Sequence, residues 1–326
     1  MMQVRSNNPA AGIAFVIAGV FTISVNDMLI KQLSGDYPLH QIVFTRSGIG
    51  LLFSLALVRI EGGWSILKTR QPGLHLLRGL LIVIANMTFF VALAALPIAE
   101  ATALFFVAPL FITLLSVPIL GERVGPMRLG AVLVGFGGVL LMQRPWQSGA
   151  ALDVPRLVLL LPVLAALTYA LMQLLTRKLG VAMKASALAV YTQGMFLAIS
   201  VGFFLVAGDG RFATGTESTS LQFLLRAWTW PDDPDWPLFL VLGMNSAVVA
   251  YCLSAAYRMA DAATVAPFEY VGLPLAVFWG WMIWSELPGW QVWLGMMLIV
   301  GAGLFVFLRE RGRTRRPARA GLKARF

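Results

Sequence analysis

The sequence predicts an all-α integral membrane protein with ten transmembrane helices, arranged as two inverted five-helix repeats. Two observations carry this prediction. Of the 326 residues, 59% are hydrophobic and 12% are charged, and the mean hydropathy is +0.80. Soluble domains carry about 25% charged residues, so this composition is typical of a chain that lies in a bilayer. In addition, one ordered set of short motifs occurs twice along the chain.

Ten apolar segments are long enough to cross a bilayer, because the hydrocarbon core takes about 20 residues of helix. We place them at residues 10–33, 39–59, 72–95, 97–119, 126–143, 155–177, 185–207, 237–258, 262–284 and 289–308. Most connections are short. The one long insertion, residues 208–236, is rich in Thr, Ser, Trp and acidic residues, and we expect it to form an amphipathic or irregular excursion outside the membrane.

The motif set starts near residue 99 and again near residue 260. The first copy contains Ala99-Glu100-Ala101-Thr102, Ala108-Pro109-Leu110 and Gly121-Glu122-Arg123. The second copy contains Asp261-Ala262-Ala263-Thr264, Leu273-Pro274-Leu275 and Ser285-Glu286-Leu287. A glycine-rich apolar run follows each copy. The preserved order indicates that one half of the protein is written twice.

This duplication sets the domain boundaries. We assign the first repeat to residues 9–143 and the second to residues 155–308, with a connecting loop at 144–154 and a basic tail at 309–326. Each repeat contains five spans, and because five is odd, the second repeat crosses the membrane upside down relative to the first. Inverted repeats build carriers in which the halves exchange conformations, so a cavity between them is implied.

The distribution of Lys and Arg predicts the orientation. With an even number of spans both termini lie on one side, and most of the 25 basic residues then fall in the loops of that side or in the tail. The positive-inside rule places this side in the cytoplasm, so we expect a multi-pass protein of the inner membrane with both termini cytoplasmic. Nucleic-acid binding would need a basic folded face, which the sequence lacks.

Motifs of enzymes and of metal or cofactor sites are missing from the sequence. The single cysteine, Cys252, lies in an apolar run, which excludes a disulfide framework and a thiolate metal cluster. There is no HExxH pair, no GxSxG elbow and no Walker-type loop. We therefore predict that the protein is not an enzyme and holds no metal or cofactor.

Four ionisable residues lie within apolar spans: Asp27, Arg46, Glu100 and Glu269. Each needs a reason, because a charge at the bilayer centre costs about 2.5–3.5 kcal/mol on insertion scales. Asp27 could be neutralised by Lys31, one helical turn later, or by Arg46, or it could be a proton or cation site on the cavity wall. Arg46 could instead hold a substrate carboxylate.

Acidic residues also mark the repeated spans and turns. Glu269 follows Pro267, and an acid beside a helix break is a recurring form of transporter site, although a buried acid bonded to neighbouring spans is the alternative. Glu100 and Asp261 open spans four and nine, where a carboxylate complements a helix N-terminus. Glu122 and Glu286 lie in equivalent turns. There they could cap the following helices, or they could close a gate by pairing with the nearby Arg123 and Arg128.

Uncharged polar side chains in the middle of several spans complete the candidate lining, since aromatic groups with hydroxyl tips, together with amides, suit an amphipathic organic solute. They are Asn86, Thr88, Thr102, Tyr169, Gln173, Tyr191, Gln193, Asn245, Tyr251 and Tyr270. From all of these residues we select as substrate-binding or ion-binding candidates Asp27, Asn26, Arg46, Asn86, Tyr169, Gln173, Tyr251, Glu269 and Tyr270.

The repeated motifs resemble the EamA repeat of the drug/metabolite transporter superfamily, from about residue 9 to residue 308 apart from the insertion at 208–236. This resemblance implies a ten-helix secondary carrier that binds its substrate between the halves and uses no covalent cofactor. Three segments are also similar to carriers of the S-adenosylmethionine-uptake type: Ser24-Val25-Asn26-Asp27 with Lys31, Leu77-Arg78-Gly79, and residues 264–270. Branches that export amino acids or import riboflavin share similar segments, so the substrate stays open.

These observations favour a secondary active transporter that moves a small organic metabolite, such as an amino acid, a nucleoside-like compound or a drug, by alternating access. If transport is coupled to protons, a buried carboxylate would take up a proton on one side and release it on the other. Asp27, Arg46 and Glu269 are the residues expected to handle charge. A membrane-embedded transferase and a non-transporting receptor are the alternatives. The expected partners are the small molecule and the bilayer, and the oligomeric state is open.

Overall fold

The structure is a computed structural model that describes residues 9–69, 71–121, 124–146, 154–178, 185–259 and 266–314. Over these residues all regular secondary structure is helical. The α-helices are α1 (Pro9–Leu33), α2 (Leu39–Glu61), α3 (Pro72–Leu93), α4 (Ile98–Phe105), α5 (Ala108–Leu120), α6 (Pro126–Gln143), α7 (Arg156–Lys178), α8 (Ala185–Ala207), α9 (Thr219–Leu225), α10 (Trp236–Met259), α11 (Gly272–Trp284) and α12 (Trp290–Thr314). Short 3-10 segments lie at Trp64–Leu67, Asp233–Asp235 and Ala266–Val271.

Within the described residues, nine helical segments are long and apolar enough to cross a membrane. Helices α4 and α5 together form one of them, Ile98–Leu120, with a break at Phe106 and Val107. The remaining predicted span is also interrupted, because the 3-10 segment Ala266–Val271 runs directly into α11 and residues 260–265 lie outside the described part. The predicted all-α membrane fold is thereby confirmed.

Both interrupted spans break where the duplicated Pro-Leu motif opens their second part. Pro109 and Pro274 lie in the first turns of α5 and α11. Proline has no N–H, so it cannot bond the carbonyl four residues earlier, which belongs to Phe105 in one span and to Tyr270 in the other. The two breaks thus place Phe105 and Tyr270 at corresponding points of the repeated motif.

The packing of the helices repeats with a shift of five spans. Helix α1 (span one) packs against α10 (span eight), and α7 (span six) packs against α3 (span three). A shift of five spans therefore converts the first pair into the second. The pairs α2 with α8, α6 with α12, and α4 with α11 map onto themselves. At the α6–α12 contact the backbones touch, since a Cβ added at Gly138 would lie 2.8 Å from the carbonyl oxygen of Gly295. This contact accounts for two of the repeated glycines as packing residues.

The two turns that follow the interrupted spans are alike. Gly121 directly follows α5 and Ser285 directly follows α11, and both residues adopt the left-handed conformation, with φ of 71° and 54°. Such a conformation at a helix C-terminus is typical of glycine and uncommon for serine. Glu286 follows Ser285 in the described chain, whereas the predictions for Glu122, Arg123 and Asp261 concern residues outside it.

The insertion packs onto one end of the bundle. Phe223 of α9 is fully buried. The hydroxyl of Tyr37 donates to Asp235 Oδ2 at 2.6 Å, and Gln41 forms two hydrogen bonds with the backbone of Thr229. The insertion therefore combines short helical and irregular segments, as expected, and is fixed to the ends of α1 and α2.

Candidate functional site

A cavity of about 770 Å³ lies inside the bundle. Every membrane-spanning part of the described chain except α6 contributes side chains to its wall. The cavity is therefore shared by the two sequence repeats. Its volume falls in the range of about 300–1,000 Å³ that is usual for sites of small organic ligands.

Eight of the nine candidates selected from the sequence border this cavity: Asp27, Asn26, Arg46, Asn86, Tyr169, Gln173, Glu269 and Tyr270. The ninth, Tyr251, lies elsewhere. Its side chain is 51% exposed, and its ring packs edge-on against Phe15 at 6.1 Å between centroids. Helix α10 turns Val249 and Leu253 to the cavity, and a residue midway between them points to the opposite side of the helix. Tyr251 is therefore excluded as a lining residue.

Other polar residues noted in the sequence divide between the cavity and local contacts. Thr102 and Gln193 border the cavity. The hydroxyls of Thr88 and Tyr191 bond backbone carbonyls, and Asn245 does not border the cavity. Glu100, by contrast, lies in the first turn of α4, where the sequence placed it as a complement to the helix N-terminus.

Sequence reasoning missed several hydroxyl groups of the lining: those of Ser24, Thr113, Ser116 and Ser246. Serine and threonine within spans commonly bond carbonyls of their own helix and therefore carry little signal. Thr113 and Ser116 do so, at 3.0 and 2.9 Å. Spacing could have identified Ser24, because residues three apart lie on one face of a helix and Ser24 precedes Asp27 by three residues.

Asp27 forms the acidic corner of the cavity on α1. Asn26 Nδ2 donates to Asp27 Oδ1 at 3.3 Å. The alternative in which Lys31 neutralises Asp27 is not realised in this conformation, because Lys31 Nζ lies 2.9 Å from Glu286 Oε2 and 3.2 Å from Glu286 Oε1. The same ammonium donates to the carbonyl of Leu96 at 2.9 Å and lies 4.8 Å from the centre of the Trp284 ring. Glu286 therefore pairs with a cation of α1.

Arg46 lies on α2 and borders the same cavity. The charges of Arg46 and Asp27 attract each other, but among the described residues no hydrogen bond or ion pair within 4.0 Å joins them. The guanidinium packs instead against two rings, with its central carbon 5.4 Å from the centroid of Phe90 and 5.2 Å from that of Phe196. The alternative of a direct Asp27–Arg46 pair is therefore not realised in this conformation.

Aromatic rings meet in the cavity where the interrupted spans break. Phe105 packs against Tyr169 at 5.5 Å, and Phe106 against Tyr270 at 5.1 Å between centroids. Gln173 Nε2 donates to the hydroxyl of Tyr169 at 2.9 Å. The carboxylate of Glu269 lies close enough for its charge to act on both tyrosine hydroxyls. The breaks thus supply flat apolar surfaces with polar tips, as an amphipathic aromatic solute requires.

Comparison with known proteins agrees with this architecture. The profile of the EamA-like transporter family matches residues 10–144. A riboflavin transporter of Rhizobium johnstonii is 35% identical over 94% of this chain and 92% of its own length. An S-adenosylmethionine uptake transporter of Rickettsia prowazekii is 27% identical, over 92% of this chain and 93% of its own. A solved crystal structure shares the fold with a TM-score of 0.61 at 18% identity, covering 94% of this chain and 99% of the other.

A helical membrane bundle that encloses a solute-sized cavity, with such relatives, is a transporter of small molecules and not an enzyme. The chain belongs to the EamA-like transporter family, within the drug/metabolite transporter superfamily that the duplicated motifs resembled. It is accordingly a multi-pass membrane protein whose partners include a small-molecule substrate.

Proposed function

We propose that the protein is a secondary carrier that binds a small, flat aromatic metabolite in the central cavity and moves it across the inner membrane by alternating access. The observation that carries this proposal is the cavity of about 770 Å³ with walls from both repeats. A site between two halves can open to either side when one half rocks against the other. Both termini would lie in the cytoplasm, in line with the distribution of basic residues.

The helix packing supports the inverted-repeat part of this proposal. Contacts of α1 with α10 and of α3 with α7 are equivalent under a shift of five spans, as are those of α2 with α10 and of α3 with α8. The pairs α2 with α8, α6 with α12, and α4 with α11 map onto themselves. Two halves related by an approximate two-fold axis would produce this pattern. The matching left-handed turns after α5 and α11 agree with it.

The chemistry of the cavity wall narrows the substrate class. Phenylalanine and tyrosine rings provide stacking surfaces, and amides, hydroxyls and two carboxylates stand beside them. Riboflavin and S-adenosylmethionine, the solutes named for the two relatives, both combine a flat nitrogen heterocycle with a polar tail. We take riboflavin as the first substrate to test, because the riboflavin transporter has the higher sequence identity.

Uptake into proteoliposomes tests the proposal. Wild-type protein should take up riboflavin with saturation, and preloading the vesicles with unlabelled riboflavin should accelerate entry of labelled riboflavin. S-adenosylmethionine, an amino acid and a nucleoside serve as competitors. Binding without flux would favour the receptor alternative, and chemical conversion of the ligand would favour a transferase. The absence of saturable flux for every compound would contradict a carrier.

Proton coupling through Asp27 is a separate part of the proposal. Asp27→Asn keeps the size of the side chain but cannot carry a proton, so a pH gradient should no longer drive accumulation, while exchange of internal for external substrate continues. Asp36→Asn, in the loop after α1, is the matched control and should leave gradient-driven uptake unchanged. Equal gradient-driven uptake by wild type and Asp27→Asn would contradict the role of Asp27.

A further inference from the structure

Arg46 is a buried cation whose charge is only partly compensated by the protein. The residue is 7% exposed, and its Nε finds no acceptor among the described residues. A guanidinium does not lose its proton, so the charge cannot be removed by titration. A buried charge needs partners that satisfy its donors, and these partners are therefore to be sought in the cavity that Arg46 borders.

The packing of Arg46 determines where such partners can bind. Phe90 and Phe196 contact the guanidinium through their ring faces and compensate part of its charge. These ring faces cannot accept hydrogen bonds from the guanidinium N–H groups, because the N–H groups point outward within the plane of the guanidinium. Because all five N–H donors lie in that plane, they suit a flat acceptor such as a pair of carbonyl or carboxylate oxygens.

A hydrogen-bond acceptor, the side-chain amide of Gln193, borders the same cavity as the donors of Arg46. Gln193 precedes Phe196 by three residues on α8, so both occupy one face of the helix, and both border the cavity. The carbonyl oxygen Oε1 of Gln193 is buried and has no hydrogen-bond partner among the described residues. Close packing holds the amide beside α2, since a Cβ added at Gly50, four residues after Arg46, would lie 2.7 Å from Gln193 Nε2.

We propose that Arg46 and Gln193 recognise the imide edge of a flat heterocyclic substrate, as a flavin ring presents it. Arg46 donates to one of the ring carbonyl oxygens, and the Gln193 amide turns toward the cavity so that its Oε1 accepts the adjacent ring N–H. This assignment rests on the proposed function and extends it to a substrate class. A flat cation without carbonyl groups would meet the positive charge of Arg46 and bind poorly.

The first test compares two fluorescent tricyclic dyes, riboflavin and proflavine, in titrations of the purified protein. Arg46→Met should weaken riboflavin binding by about 10- to 100-fold, the range for loss of a charged hydrogen-bonded pair. The same variant should bind proflavine, a cation without an imide edge, equally well or more tightly. An equal loss of affinity for both dyes would overturn the assignment.

The second test needs no ligand. If Arg46 is kept for recognition, the ligand-free protein holds a poorly compensated charge. In an Asp27→Asn background, which removes the carboxylate that attracts the guanidinium, Arg46→Met should raise the melting temperature in detergent. The matched control is Arg78→Met, because Arg78 Nε donates to Thr176 Oγ1 at 2.6 Å and its loss should lower the melting temperature. A decrease for Arg46→Met of the same size would show that Arg46 is structural.

The two tests separate the failure of this assignment from the failure of the proposed function. If wild type binds riboflavin but vesicles show no flux, the carrier mechanism fails, whereas the comparison of dyes still decides the role of Arg46. If wild type binds no riboflavin, the proposed substrate fails, and the melting temperature decides whether Arg46 is structural.

Discussion

At the scale of the residue, the position of Tyr270 depends on the absence of a side chain at Gly303. Tyr270 follows Glu269 in the 3-10 segment, and a Cβ added at Gly303 of α12 would collide with the hydroxyl of Tyr270. Gly303→Ala should therefore push the Tyr270 ring toward Phe106 and into the cavity. We expect a loss of about 1–3 kcal/mol of stability from this overpacking and weaker binding of the proposed substrate, riboflavin, measured by melting temperature and titration.

Two further variants isolate this contact. Tyr270→Phe removes the hydroxyl, so the double variant Gly303→Ala with Tyr270→Phe should recover most of the stability that Gly303→Ala loses. Gly301→Ala is the control on the same helix, since nothing lies within 4 Å of a Cβ at that position. If Gly301→Ala and Gly303→Ala have the same effect, the contact with Tyr270 is not responsible.

Residue types were more predictable than residue partners. Charges and amides within apolar spans are rare enough to mark Asp27, Asn86 and Glu269 from the sequence, because each needs compensation. The partner of Lys31, however, is 255 positions away, and local helix spacing favoured Asp27 instead. Tyr251 was misplaced for a related reason, since α10 is apolar on nearly all sides and hydrophobic periodicity does not distinguish its cavity face.

At the scale of the element, Lys31 joins the end of α1 to two turns. Its ammonium bonds the carbonyl of Leu96, between α3 and α4, and the carboxylate of Glu286, between α11 and α12. The Lys31 side chain is 8% exposed and that of Glu286 is 32% exposed. Lys31 therefore links the end of α1 to the turn between α3 and α4 and to the turn between α11 and α12 in the observed conformation.

A double-mutant cycle should detect the coupling between Lys31 and Glu286. Glu286→Gln leaves a mostly buried ammonium without its carboxylate, and the partial exposure of Glu286 reduces the expected cost to about 1–3 kcal/mol. The double variant Lys31→Met with Glu286→Gln should be more stable than the two single losses predict, because no unpaired charge remains. Chemical denaturation in detergent measures the coupling. Strict additivity of the two single losses would show that the pair does not stabilise this end.

The interruption of the ninth span was suggested by Pro267, but the matching break in the fourth span was not predicted. The duplicated Pro-Leu motif is a sequence signal for a break in both spans, because each proline lacks the N–H that would bond the carbonyl four residues earlier. Proline is also tolerated within transmembrane helices, so the motif alone does not distinguish a kink from a full break. Span lengths, by contrast, follow from bilayer thickness and were predictable for the nine spans found in the described residues.

At the scale of the whole molecule, the proposed alternating access would require the helix ends linked by Lys31 and Glu286 to separate in every transport cycle. Locking these positions together should therefore stop transport while substrate still binds from the other side. The chain is suited to this experiment, because Cys252 is its only cysteine and is buried. The experiment uses Cys252→Ala as background and adds Lys31→Cys and Glu286→Cys.

A bismaleimide linker is the appropriate reagent, because Lys31 and Glu286 meet through the ends of long side chains and a linker can span the gap that two shorter cysteines leave. Before the reagent is added, the double-cysteine protein should take up riboflavin. Afterwards uptake should fall nearly to the level of empty vesicles, while riboflavin binding to the detergent-solubilised protein persists. Each single-cysteine variant should keep its uptake after the same treatment. Uptake that continues in the crosslinked protein would mean that this end need not open, and a rocking motion of the two repeats about the cavity would then be excluded.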